Sequence, residues 1–309
     1  MLQHTPVLLQ EVLAALDVRA GGRYLDATFG RGGHSAAILE RTGTEGRVVA
    51  IDRDRQAIRA GRERFAAESR LTLVSGPFSR LGAVAAQMGL SGRFDGVLLD
   101  LGVSSPQLDD AARGFSFAHD GALDMRMDNS AGSSAADFVA RAPEREIARV
   151  IRDYGEERFA KRIAHEIVSA RREAPIARTA QLAEIVARAV RTREPGKHPA
   201  TRTFQAIRIH VNDELAEIQA ALDGSLAALA VDGRLCVISF HSLEDAIVKR
   251  FMQKHSTEDP VYAGLPDVPA HARPKLRRIG RAVHASDEEI ARNPRSRSAV
   301  MRVAQRLAA

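Results

Sequence analysis

The sequence predicts an α/β fold whose parallel sheet is interrupted by an all-α segment. Three observations carry that prediction. Residues 1–105 alternate short apolar runs with amphipathic stretches, as a parallel sheet wrapped by helices does. From Pro143 to about residue 222 only the helical period is found, punctuated by Pro143, Pro175, Pro195 and Pro199. Near Asp232-Gly233 the strand signal returns. The 309 residues thus divide into one discontinuous sheet domain, 1–105 with 213–309, and an inserted helical domain, 106–212.

In chain order, strands are predicted at Arg23–Thr28, Arg47–Asp52, Leu71–Val74 and Phe94–Leu101, with helices near 8–16, 34–41, 54–67 and 79–88 between them. The unbroken run Val97-Leu98-Leu99 suits a strand buried on both faces. Residues 106–135 are rich in Gly, Ser and Asp without a clear period. Helices follow at 144–153, 156–172, 179–191 and in one long stretch from about 199 to 222. A strand at Arg234–Phe240 leads into a helix at about 243–254, and the tail carries strand patterns at Leu276–Gly280 and Ser298–Ala304.

Composition narrows the class. Apolar residues make up 45% and charged residues 27%, a globular balance. The one cysteine, Cys236, excludes an internal disulfide framework and a Cys-cluster zinc site. No apolar run approaches the ~18 residues of a membrane span, and His4, Pro6, Gln10 and Glu11 break up any signal-peptide core, so a cytoplasmic protein without membrane contact is expected. The net charge of +6 comes from five lysines and forty arginines against 39 acids. Arginine excess reflects either coding bias or bidentate recognition of phosphate. Its distribution is uneven: residues 213–270 carry −6 and residues 271–309 carry +7. The tail, and the stretch 191–208 with Arg191, Arg193, Lys197, Arg202 and Arg208, are candidate contacts for RNA phosphates.

The loop after the first strand reads Asp26-Ala27-Thr28-Phe29-Gly30-Arg31-Gly32-Gly33-His34-Ser35 and runs into a helix. Glycines there let a ligand approach the backbone at the positive end of the helix. Asp52 ends the second strand twenty residues past Gly32, where an acid accepts from ribose hydroxyls. The pair points to a nucleoside-bearing cofactor. A dinucleotide fingerprint needs Gly or Ala at position 35, which is Ser; an acid four residues before the first glycine, here Asp26, resembles instead the S-adenosylmethionine loop of Rossmann-like methyltransferases. Asp26 serves equally as a hydrogen-bond acceptor that shapes the loop.

The fourth strand runs into Asp100-Leu101-Gly102-Val103-Ser104-Ser105-Pro106-Gln107, at the carboxyl edge where open sheets bind ligands. The position resembles that of the Asp/Asn/Ser-Pro-Pro-aromatic motif of amino-group methylases, whose target, an exocyclic amine, is a poor nucleophile because its lone pair is delocalised into the ring. A carboxylate accepting its hydrogen bonds returns density to nitrogen and aims it. Asp100 either plays that catalytic part or contacts only the cofactor. His241 and Asp245, past the strand at 234–240, either shape the target pocket or are structural. No His-Glu-x-x-His or similar pattern occurs, so no metal is expected.

Longer strings resemble the bacterial 16S ribosomal RNA cytosine-N4 methyltransferases. They include His4–Leu9 (HTPVLL), Thr28–Ser35 (TFGRGGHS), Ala50–Arg53 (AIDR), Gly76–Ser79 (GPFS) and Leu98–Leu108 (LLDLGVSSPQL). Further matches are Arg113–Phe117 (RGFSF), Leu123–Asp128 (LDMRMD), Tyr154–Arg162 (YGEERFAKR), His198–Phe204 (HPATRTF), Ser239–Asp245 (SFHSLED) and Asn293–Ser298 (NPRSRS). The resemblance implies a Rossmann-like methyltransferase sheet with an inserted all-α domain for substrate recognition. It also implies S-adenosylmethionine as cofactor and methylation of one cytosine in the decoding centre of 16S ribosomal RNA, within the small ribosomal subunit. Cofactor contacts implied by it fall on Gly32, Gly33, His34, Asp52, Phe78, Asp100 and Gln107. Phe78 either stacks on adenine or belongs to the core. A ring to stack on the target base comes from Phe115 or Phe117, unless these anchor their loop. The family implies a homodimer; Ile147, Val150 and Ile151 pair two subunits or form the insertion's own core. Two competing readings are an RNA-binding assembly factor that retains a cofactor pocket, and an NAD-dependent oxidoreductase, against which Ser35 and the insertion count.

Overall fold

The computed structural model describes residues 6–190, 196, 198–258, 260–262, 269 and 272–308. His4 and Thr5 of the first matched string, and Arg191, Arg193 and Lys197 of the basic stretch, lie outside them. The chain forms two compact units, Met1–Gly102 with Leu215–Ala309, and Val103–Glu214.

In the first unit, helix α1 (Leu9–Ala15) precedes β1 (Arg23–Asp26), α2 (Gly33–Thr42), β2 (Arg47–Asp52), α3 (Arg55–Arg64), β3 (Leu71–Ser75), α4 (Leu81–Gln87) and β4 (Phe94–Asp100). Helix α11 (Glu214–Ala228), strand β5 (Leu229–Ser239), helix α12 (Ser242–Ser256), strand β6 (Leu276–His284), helix α13 (Asp287–Arg292) and strand β7 (Val300–Arg306) complete it. The sheet order is β3-β2-β1-β4-β5-β7-β6. Strands β1 to β5 are parallel, and β7 inserts antiparallel between β5 and β6. Order reverses at β1, so the crevice beyond β1 and β4 is where a doubly wound sheet takes its ligand. This is a Rossmann-like α/β fold.

Both sheet faces are covered, which explains the apolar runs. Along β4, Val97 and Leu99 join one core cluster with Val84, Leu222 and Phe251. Leu98, between them, joins the opposite cluster with Leu13, Ile38 and Ile238. Alternation about a parallel strand, with apolar residues both ways, is the two-sided burial expected of such strands.

The second unit consists of α5 (Ser105–Asp109), α6 (Ala135–Arg141), α7 (Glu144–Gly155), α8 (Ala160–Glu173), α9 (Thr179–Ala189) and α10 (Thr201–Asn212). Its core gathers Leu123, Met125, Val139, Ile147, Val150, Ile151, Ile163, Ile167, Leu182 and Ile207. Ile147, Val150 and Ile151 are completely buried there, so they form this unit's own core.

Four local features differ from expectation, each for a physical reason. The helix expected over 199–222 is two: Asp213 takes the left-handed conformation (φ 52°), ends α10, and α11 (Glu214–Ala228) starts afresh. Helices α5 and α6 were hidden by their shortness, yet each has a capping box, Ser104 with Gln107 and Ser134 with Asp137. Helix α13 was likewise missed, although Ser286 accepts from the Glu289 amide as its N-cap. Strand β6 extends four residues past the predicted Gly280 because it pairs antiparallel with β7, which itself lies two residues later than predicted because Pro294–Ser298 is a 3-10 turn.

Candidate active site

The site is assembled from strand ends. Register aligns Asp26 of β1 with Ala50 of β2 and with Leu98 of β4. Asp52 and Asp100 therefore each stand two residues past that row, on the same carboxyl edge. The glycine loop links β1 to α2 beside them. Three carboxylates thus converge where the first amides of α2 have no intrahelical acceptor.

Asp26 is buried and satisfied within the loop: one oxygen accepts from the Thr28 amide (3.1 Å), the other from the Ser35 hydroxyl (2.6 Å). Burial pushes its carboxyl up, against the pull of His34 and these hydrogen bonds. Its structural part is therefore to shape the loop. Asp52 accepts from the Gly30 amide (2.7 Å) and from the Asp54 amide (2.8 Å), which ties the loop to β2. Burial pushes Asp52 up to about 6.

Asp100 is held by its backbone, whose N–H donates to the Thr28 hydroxyl (2.7 Å). Its Oδ1 is covered and has no hydrogen-bond partner. Burial, with the Asp26 and Glu244 carboxylates facing it, pushes Asp100 up to about 8. His34 stands next to it. The ring Nε2 lies 3.0 Å from the Val7 carbonyl, which can only accept, so Nε2 carries the hydrogen. The other nitrogen, Nδ1, faces Asp100 Oδ2 at 3.7 Å. Neutral imidazole turns its Nδ1 lone pair toward that carboxylate, at a separation longer than a hydrogen bond.

The glycines divide by function. A Cβ on Gly32 (φ +71°) would meet the Phe29 ring at 2.6 Å and Phe65 at 2.8 Å, and one on Gly33 would run into Pro6. Packing beneath the loop therefore demands both glycines. Gly30 (φ +55°) has no side chain within 4 Å of that position, so close approach of a ligand to the loop is open there. Sequence reasoning placed Gly30 in the loop without assigning it a contact.

Phe78 follows β3, half-buried against the core cluster that holds Leu81 and Val84. Gln107 lies in the second unit, where its Oε1 accepts from the Ser104 amide (2.9 Å) as part of the α5 cap. Phe115 is buried in that unit's core, and Phe117 packs on His198 and Phe204 with ring centroids 4.6 and 4.8 Å away. Both rings anchor their loop.

His241 caps α12, its Nδ1 facing the Glu244 amide at 3.4 Å. Asp245 pairs in two hydrogen bonds with Arg302 (2.6 and 2.8 Å). Both are structural in this arrangement. The residue that sequence reasoning missed is Glu244, fully buried, whose Oε2 accepts from the Phe240 and His241 amides. Its signal was the cap spacing His241-x-x-Glu244, read only as part of a family string. Ser239, at the end of β5, has a buried hydroxyl without a partner.

The sequence profile of the MraW methylase family matches residues 1–307. The chain belongs to the MraW methylase family. Among curated relatives, ribosomal RNA small subunit methyltransferase H of Thiobacillus denitrificans is 58% identical over 306 residues, covering 99% of this chain and 97% of that one. The protein of the same name from Shewanella woodyi is 53% identical, covering 98% and 97%. Among solved structures, a putative rRNA methylase from Clostridium thermocellum is similar at 12% identity and TM-score 0.46, covering 99% of this chain and 100% of that one. A putative methyltransferase from Streptococcus mutans in complex with SAH aligns at 10% identity and TM-score 0.44, covering 99% and 100%. Among the described residues no helix is long and apolar enough to cross a membrane.

Proposed function

We propose that the carboxyl edge of β1, β2 and β4 is the cofactor and reaction site of this enzyme, with Asp100 as the group that holds the target amine. Family membership and full-length identity carry the reaction itself: the chain is an S-adenosylmethionine-dependent methyltransferase that modifies N4 of a cytosine in 16S ribosomal RNA. The observation that supports the site is the covered, unpartnered Asp100 Oδ1. It fits a ligand with a cationic centre and donor groups, as this cofactor is.

S-adenosylmethionine supplies a methyl group already activated by its sulfonium, so the chain's own work is positioning. Asp52 accepts from ribose hydroxyls, while the loop at Gly30 leaves room for the ligand's approach. The amides of Gly33 and His34 at the start of α2, and the ring of Phe78 for adenine, complete the proposed contacts; Gly32 acts through its backbone shape. Gln107 belongs to the same proposal through the family match alone. Asp100 orients the cytosine amine and restores density to its nitrogen. As the N–C bond forms, the C–S electron pair stays on sulfur and the amine must lose a proton. The Asp100–His34 pair, with Nε2 fixed on Val7, is placed to take it at Asp100 Oδ2 or at Nδ1.

The two-piece sheet unit is read as the methyltransferase domain and the helical unit as the substrate-recognition domain. The substrate is read as 16S ribosomal RNA in the small subunit, at the decoding centre, in the cytoplasm. Homodimer formation belongs to the reading on the family resemblance, through surfaces other than Ile147, Val150 and Ile151. The experiment is methyl transfer from labelled S-adenosylmethionine to small subunits of a deletion strain, with the product nucleoside identified. N4-methylcytidine from wild type and its loss in Asp100→Ala are expected. Near-normal turnover by that variant removes Asp100 from the mechanism, and an unmodified cytosine in both favours the assembly-factor reading.

A further inference from the structure

Beside α12 and the edge strand β6 lies a groove of about 710 Å³ that none of Asp26, Asp52 or Asp100 lines. Its cations come from three elements: Lys249 from α12, Arg277, Arg278 and Arg281 from β6, and Arg302 from β7. Among the described residues no carboxylate lines it. Two of the five are engaged, Arg302 by Asp245 and Arg277 by the Gln305 side chain. Lys249, Arg278 and Arg281 are exposed and form no ion pair among the described residues.

We propose that this groove holds the RNA strand that flanks the target nucleotide, through its phosphates; the proposal rests on the reading that the substrate is RNA. Placement supports it. Asp100 pairs with Ile238, Ile238 with Met301 and Met301 with Val283, so Asp100 and Val283 share one row across the sheet. Three strand spacings of ~4.8 Å put that row's β6 end about 14 Å from Asp100, a span of a few nucleotides. The groove starts beside that row, at Ala282 and Arg281, and follows β6 back to Leu276. At ~3.3 Å per residue this is a track of about 20 Å, too long for one small anion and suited to a polyanionic strand.

A plainer role exists for charge on an edge strand. Arginines and a bulge discourage pairing with another sheet, and β6 has a register shift between Ile279 and Val283. That role needs charge on β6 alone. It does not call for Lys249 on a different element, nor for described lining residues free of acids. Elsewhere on the surface, arginines such as Arg141 and Arg292 sit beside an acid one helical turn away.

The test neutralises Lys249→Gln, Arg278→Gln and Arg281→Gln together in the full-length protein. S-adenosylmethionine affinity is measured by calorimetry, and methyl transfer to the RNA of small subunits from a deletion strain is measured across a salt series. Cofactor affinity and kcat at saturating RNA should stay at wild-type values. KM for RNA should rise, and its dependence on salt should weaken by about 2 in the log–log slope, from ~0.7 per lost phosphate contact. Arg278→Lys with Arg281→Lys should keep the wild-type slope, since a point charge suffices for phosphate. Wild-type KM and slope in the triple variant would overturn the proposal and leave edge protection as the role of these residues. If the wild type itself transfers no methyl to RNA, the underlying reading fails instead.

Discussion

Proton release on cofactor binding follows from the state of Asp100. In the ligand-free protein, burial and the facing carboxylates of Asp26 and Glu244 push Asp100 up to about 8, while burial pushes Asp52 up to about 6. A cationic ligand favours ionised Asp100, so below pH 8 a proton must leave before the ligand is held. At pH 7 about nine-tenths of Asp100 and about one-tenth of Asp52 are protonated, so binding should release about one proton, falling to about 0.1 at pH 9. The apparent Kd for S-adenosylmethionine should tighten nearly tenfold per pH unit from about 6.5 to 7.5 and level off above about 8. Calorimetry in buffers of different ionisation enthalpy reads both quantities. In Asp100→Asn the slope should vanish and the high-pH affinity fall by ~1.5–3 kcal/mol, the usual worth of a charged hydrogen bond. The same shift has a stability sign. Asp100 binds its proton more tightly folded than unfolded, so it costs stability progressively as pH rises from about 4 to about 8. Ligand-free Asp100→Asn should therefore gain on wild type as pH rises, by at most ~1.4 kcal/mol per unit. A wild-type Kd that is flat from pH 6 to 9, with no proton released, would refute the reasoning.

Three further outcomes test other parts of the molecule. Gly32→Ala sets a Cβ against Phe29 and Phe65 at a positive φ, so thermal unfolding should show a loss of ~1–3 kcal/mol; an unchanged Tm would mean the rings beneath the loop move freely. Asn212→Ala removes the side chain that accepts from the Met127 amide and donates to the Met125 and Arg208 carbonyls, which should cost ~2–4 kcal/mol in denaturant melts, and a smaller loss would place the 125–127 loop under other control. Ser239→Ala deletes a buried hydroxyl that has no partner, so stability should hold or rise slightly; if Ser239 serves the substrate, kcat/KM falls in the same variant, and a large drop in Tm would contradict the unpartnered state.

How far the sequence could be read follows from what each feature depends on. Strands β1, β2 and β4 were legible because two-sided burial writes an apolar run, and Asp26, Asp52 and Asp100 were legible because each sits where its run ends. The break at Asp213 was not, because α10 and α11 keep a helical period on both sides of one left-handed residue. Charge proved hardest to read. Arg208, counted from sequence among candidate phosphate contacts, spends its guanidinium on Glu214 in two hydrogen bonds of 2.8 Å, and Arg202 donates to the Glu156 carbonyl. Glu244 stands in the sequence only as part of the string SFHSLED, yet it is buried, caps α12 and raises Asp100. Composition counts charges, whereas chemistry depends on which of them have partners. That is why the −6 of residues 213–270 says little about the site, while one of its acids helps set the proton on Asp100. It is also why, in the basic tail, Arg278 and Arg281, which no acid answers among the described residues, remain available to phosphate whereas Arg302 is held by Asp245.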